Sequence, residues 1–174
     1  MRTKTRNTSA IPTAALVDTC EFLEEDTADT CGLKVKFPID QENAEYLFLP
    51  AVSDFLLEPD TLMGNAAVMT ATNGSWTIGS RYYDGINYGL FYSDRMLDRI
   101  VSQEAAEVRR LGARKILIGE CGHASRAAKF FVRTFCGDDA PEVLIVEELS
   151  ANAVASTSRI KVRRDARFTS KDAA

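Results

Sequence analysis

Lys115-Ile-Leu-Ile-Gly-Glu-Cys-Gly-His-Ala-Ser-Arg126 decides how this chain is read, because an apolar run ends there in a glycine, a carboxylate, a thiol and the only histidine. Ile116 to Ile118 is a β-branched and apolar burst too short for a helix, whereas Ala124 to Phe135 carries apolar residues at helical spacing. The stretch therefore predicts a strand, a tight turn and a helix. In open α/β sheets ligands bind in the crevice beyond the carboxyl ends of the strands. A helix start also favours negative charge, a thiolate included. Cys121 lies where a thiol would be functional if any thiol of this chain is.

On its N-terminal side, Ser93 or Asp94 can cap a long helix to Leu111, with Leu97, Ile100, Val101, Ala105 and Val108 on one stripe and Gly112 at its end. Further back, Ala44 to Leu49 reads as a strand closed by Pro50, and Ala51-Val52-Ser53-Asp54 as the turn at its carboxyl end. Pro59 and Asp60 start a helix through about Thr72, with Leu62, Ala66 and Met69 inward. Ser75 to Ile78 is a short strand leading into Gly79-Ser80-Arg81. Near the N-terminus, Pro12 opens a helix to about Asp26 with Leu16, Cys20 and Leu23 on one face, so Cys20 reads as a buried apolar residue. Lys34 to Ile39 reads as a short extended piece, and the aromatic, glycine-containing run Tyr82 to Tyr92 as packing or as a pocket lining. On the C-terminal side, Cys136-Gly137 ends a helix and Pro141 introduces a strand within 142–147. Strands alternating with helices predict an α/β fold: three layers, with a mostly parallel four-stranded sheet and helices on both faces. The turns at Ala51–Asp54, Gly79–Arg81 and Glu120–His123 are expected to face one crevice.

A chain of 174 residues with 45% hydrophobic and 26% charged content suits one domain. The expected division is a disordered basic tail over 1–9, one domain over 10–150 and a second disordered basic tail over 151–174. The formal charge of −4 hides a polarity: residues 1–6 carry +3 and residues 151–174 carry +4, which leaves the body at about −11. An acidic body argues against nucleic acid binding on the fold. No apolar run approaches the roughly 18 residues of a membrane helix, so direct membrane insertion is not expected and the chain reads as cytoplasmic.

Four cysteines at 20, 31, 121 and 136 contain no Cys-X-X-Cys pair, which argues against a zinc site, and disulfides are not expected without a secretion signal. Neither nucleotide-binding glycine motif follows a strand. Arg126 follows Cys121 one residue too early for the phosphate loop of a cysteine phosphatase. Cys121 with His123 reads either as a nucleophile and its base or as a small packed residue beside a capping histidine.

The runs Ala44-Glu-Tyr-Leu-Phe-Leu-Pro50, Asp60-Thr-Leu-Met-Gly64, Ser75-Trp-Thr-Ile78, Asn87-Tyr-Gly-Leu-Phe91 and Ile118-Gly-Glu-Cys-Gly-His-Ala-Ser-Arg126 resemble the cysteine-rich domain of heterodisulfide reductase-like iron–sulfur subunits. The nearest are those of membrane redox complexes linked to sulfite reduction. The resemblance covers about residues 10–150. It implies a cysteine after the first strand, Cys-Cys-Gly after the second and Cys-X-X-Cys after the third, together holding an iron–sulfur cluster. This chain has Ala51-Val52-Ser53, Gly79-Ser80-Arg81 and, at the third turn, Cys121 with Ala124 in place of the second cysteine.

The resemblance therefore implies a degenerate first copy of the domain, a truncated or separately encoded oxidoreductase component in sulfur metabolism. Its partners are then other subunits of a redox complex, a ferredoxin-like one and a second cysteine-rich domain, with peripheral membrane association through a partner. The residues it singles out are Cys121, His123 and Arg126 as catalytic, Glu120, Cys121, Ser53, Ser80 and Arg81 around a cofactor, and Cys121 as metal ligand. An iron–sulfur cluster is expected only with ligands from another chain. The alternatives are a self-contained thiol enzyme or redox sensor using Cys121 and His123, and a non-catalytic interaction module.

Overall fold

The structure, a computed structural model, describes residues 11–83, 93–119 and 121–156. Four short apolar runs form one sheet: β1 (Tyr46–Leu49), β2 (Trp76–Thr77), β3 (Lys115–Ile118) and β4 (Glu142–Ile145). All pairings are parallel and the spatial order is β2-β1-β3-β4. Tyr46 aligns with Trp76 on one side and Lys115 on the other, and Lys115 in turn with Glu142.

Alternate residues of a strand face opposite sides of the sheet. Tyr46, Phe48 and Leu117 therefore enter one core, with Trp76 and Ile78, while Leu47, Leu49, Ile116 and Ile118 enter another. The first core is covered by α1 (Thr13–Cys31), α2 (Val52–Leu56), α3 (Pro59–Ala71) and α6 (Val146–Ser156), the second by α4 (Asp94–Leu111) and α5 (Gly122–Cys136). This is the three-layer α/β architecture that the alternation of elements predicts. Right-handed crossovers explain the division. The chain moves outward from β1 to β2 through α3, then reverses across β1 to β3 through α4, and the reversal puts the second crossover on the opposite face.

The first two strands are shorter than expected, the turn expected at Ala51–Asp54 is taken up by α2, and three further boundaries differ. Helix α1 does not stop near Asp26 but runs to a left-handed Gly32 (φ 65°), whose N–H donates to the Ala28 carbonyl. Beyond Asp26 the Thr27 hydroxyl folds back on the helix and donates to Leu23 O at 2.6 Å. The piece Lys34–Ile39 is irregular, with only Ile39 bridging Ile78. Strand β4 ends at Ile145, where the Glu148 side chain accepts from the Ile145 N–H at 3.1 Å and starts α6. That helix passes the boundary expected at 150 because Val146 and Leu149, one turn apart, both pack on the first core. Among the described residues no helix is long and apolar enough to cross a membrane.

Candidate functional site

In an open parallel sheet, loops leaving two neighbouring strands toward opposite faces open a crevice between them. Here that switch point lies between β1 and β3: the chain leaves β1 for α2 and α3 on one face, and leaves β3 for α5 on the other. The two exits touch. Gly119 donates its N–H to Leu49 O at 3.1 Å. A Cβ on Gly119 would stand 3.2 Å from Pro50 Cα, 3.3 Å from Ala51 N and 3.3 Å from an Asp54 carboxylate oxygen. A side chain there would have to push these neighbours back by a few tenths of an ångström, which is the physical reason that favours glycine at the end of the apolar run.

Cys121 is the residue before α5, in an extended conformation (φ −74°, ψ 107°), and its carbonyl accepts from Ser125 N at 2.9 Å. The N–H groups of a helix's first turn have no intrahelical acceptor, so Cys121 borders a set of donors. Its side chain is half-buried and packs against the second core. His123 and Arg126 are exposed on the first turns of α5. Glu120 lies outside the described residues, as do positions 84–92 of the aromatic run and both expected tails except for residues 151–156.

Across the switch point, Ser53 is exposed and its hydroxyl donates to Asp54 at 3.3 Å. Asp54 is only 3% exposed and accepts from the Ala51 N–H at 3.0 Å, holding the first turn closed. This buried carboxylate is absent from the residues singled out by sequence. Its signal was the spacing Ala51-X-X-Asp54, with an acid three residues into a helix that reaches back to the backbone before it.

The turn after β2 is bound elsewhere. Ser80 donates both its N–H (2.8 Å) and its hydroxyl (2.6 Å) to Asp40, which also accepts from Arg110 at 2.5 Å, and Arg110 bonds the buried Glu107. Burial raises the Asp40 carboxyl, but the Ser80 and Arg110 hydrogen bonds outweigh it and hold the group below the usual carboxylate range. Arg81 is exposed. The structure thus joins the turns of β1 and β3 at the switch point and ties that of β2, one strand away, to α4.

The other cysteines contrast with Cys121. Cys20 is 2% exposed, and burial, then Glu24 and Glu21, push its thiol up to about 12. Burial also pushes Cys136 up, at the far end of α5. Among the described residues no three His, Cys, Asp or Glu side chains form a metal-holding group. The turns that meet at the switch point bring one thiol, Cys121, and one buried carboxylate, Asp54, a donor set that does not fit an iron–sulfur cluster by itself. Compared with known families, characterised proteins and solved structures, the chain shows no significant match, so the meaning of this site rests on its own geometry and chemistry.

Proposed function

We propose that the chain is a component of a heterodisulfide reductase-like electron-transfer complex of sulfur metabolism, in which Cys121 is the thiol it contributes to a redox site completed by another chain. The observation that carries this reading is Cys121 at the β1–β3 switch point, half-buried where the two strand exits meet. The Gly-Glu-Cys-Gly-His-Ala run supports it, and so does a donor set too small for a cluster, since a shared site needs this chain to bring only part of the ligands. In this reading the chain is cytoplasmic and reaches a membrane only through its partners.

The test is anaerobic co-purification with a subunit carrying Cys-Cys-Gly and Cys-X-X-Cys, followed by iron analysis and visible absorption. The expected result is a complex whose iron content or spectrum changes in Cys121→Ser. An iron-containing complex indifferent to that substitution, or no complex at all, overturns the reading. Fast modification of Cys121 by N-ethylmaleimide in the isolated chain at neutral pH, with no complex formed, would favour the self-contained thiol enzyme.

A further inference from the structure

Two helices on opposite faces of the sheet each present a phenylalanine to solvent. Phe22 of α1 is 64% exposed and Phe130 of α5 is 66% exposed. Each points away from the side its helix buries, which is Leu16, Cys20 and Leu23 in α1 and Ala124, Ala127, Ala128 and Val132 in α5. The charges around the two rings are of opposite sign. Helix α1 holds six carboxylates and no Lys or Arg, whereas α5 holds Arg126, Lys129 and Arg133 and no Asp or Glu. Residues three or four apart on a helix share a face. Asp18 and Glu25 therefore lie one turn either side of Phe22 with Glu21 beside it, and Arg126, Arg133 and Lys129 stand in the same three places around Phe130. All six charged side chains are exposed, and among the described residues only Lys129 forms an ion pair, with Glu148.

A single exposed ring needs no partner, but two rings in matching frames of opposite charge fit each other. Laid face to face in either direction, every charge of one frame meets an opposite charge of the other, whereas two copies of the same frame meet like charges. Because α1 and α5 cover opposite faces of one sheet, a chain cannot bring its own two frames together. We propose that α5 of one copy of this chain docks on α1 of a second copy, with Phe22 and Phe130 packed against each other at the centre and the charges around them as the rim. The contact is head to tail. Each copy that joins leaves one frame free at either end, so the contact builds rings or open chains in place of a two-fold dimer. A pair of helix faces lies at the small end of interface sizes, so the association is weak and belongs to protein concentrations of about 100 μM.

The test is sedimentation velocity of the full chain at about 100 μM in low salt and again in about 0.5 M sodium chloride. Species larger than the monomer are expected in low salt, with association weakened about tenfold or more in high salt. Two triple variants separate the faces: Glu21→Gln, Phe22→Gln and Glu25→Gln in α1, and Arg126→Gln, Phe130→Gln and Arg133→Gln in α5. Each alone should be a monomer. Their equimolar mixture should give a one-to-one dimer and nothing larger, because the intact α5 of the first meets the intact α1 of the second and both remaining faces are blocked. Rescue on mixing also shows that both variants are folded, which far-ultraviolet ellipticity checks independently. A wild-type chain that stays monomeric in low salt overturns the proposal and leaves the basic face of α5 to an acidic partner of another kind. Association that either triple variant leaves unchanged, or a mixture of two folded variants that stays monomeric, overturns it as well.

Discussion

Burial pushes the Cys20 thiol up to about 12, whereas Cys121 is half-exposed ahead of α5. In the native chain at pH 8, peptide mapping after N-ethylmaleimide should find Cys121 modified and Cys20 protected until the protein unfolds. A thiol that holds its proton more tightly when folded stabilises the fold fully below its unfolded value and loses that contribution as pH rises toward the folded one. Urea unfolding should therefore show stability falling by about 1 kcal/mol per pH unit more in the wild type than in Cys20→Ala from pH 9 upward. Arg110 is the matching case among charges, because it links Asp40 to Glu107, which is 3% exposed. Arg110→Met strands a buried carboxylate and should cost about 3 kcal/mol in denaturant unfolding. These settings were unequally legible. The i, i+4, i+7 spacing of Leu16, Cys20 and Leu23 announced a buried thiol, but the bond from Arg110 to Asp40 spans 70 positions and no local pattern encodes it.

Elements were legible where their ends carry chemical signals. Ser93 caps α4 as expected, its hydroxyl accepting from Met96 N at 3.2 Å, and Gly112 ends that helix with φ 64°. Ser93→Ala should lower stability by about 1 kcal/mol, seen as a lower Tm with unchanged far-ultraviolet ellipticity at 20 °C. The start of α6 was not legible, because Val143 to Val146 is continuously apolar and only the Glu148 side chain on Ile145 N–H marks where strand becomes helix. Gly119 tests the join between elements. Its absent Cβ would meet backbone atoms of Pro50 and Ala51, which cannot move aside as a flexible side chain can. Gly119→Ala should cost about 1–3 kcal/mol by calorimetry and alter the rate of Cys121 modification, whereas Gly64→Ala should do neither.

At the scale of the molecule, the alternation of strands and helices gave the architecture, and the carboxyl-edge position of Cys121 followed from it. Strand order did not follow. Nothing in the sequence says that β1 sits between β2 and β3, and this order separates the turn at Ser80 from the one at Cys121. Because both cores share one sheet, they should melt together: Trp76 emission, which reports the first, and helix ellipticity, dominated by both faces, should give one coincident transition. The same order has a consequence during synthesis. The central strand leaves the ribosome first and can pair with β2 under α1 and α3, while Leu47 and Leu49 on its other side wait for α4, β3 and α5, which start some 45 to 75 residues later in the chain. Half-made chains must therefore carry one face partly covered and one bare, and it is over this interval that a nascent-chain chaperone has most to cover.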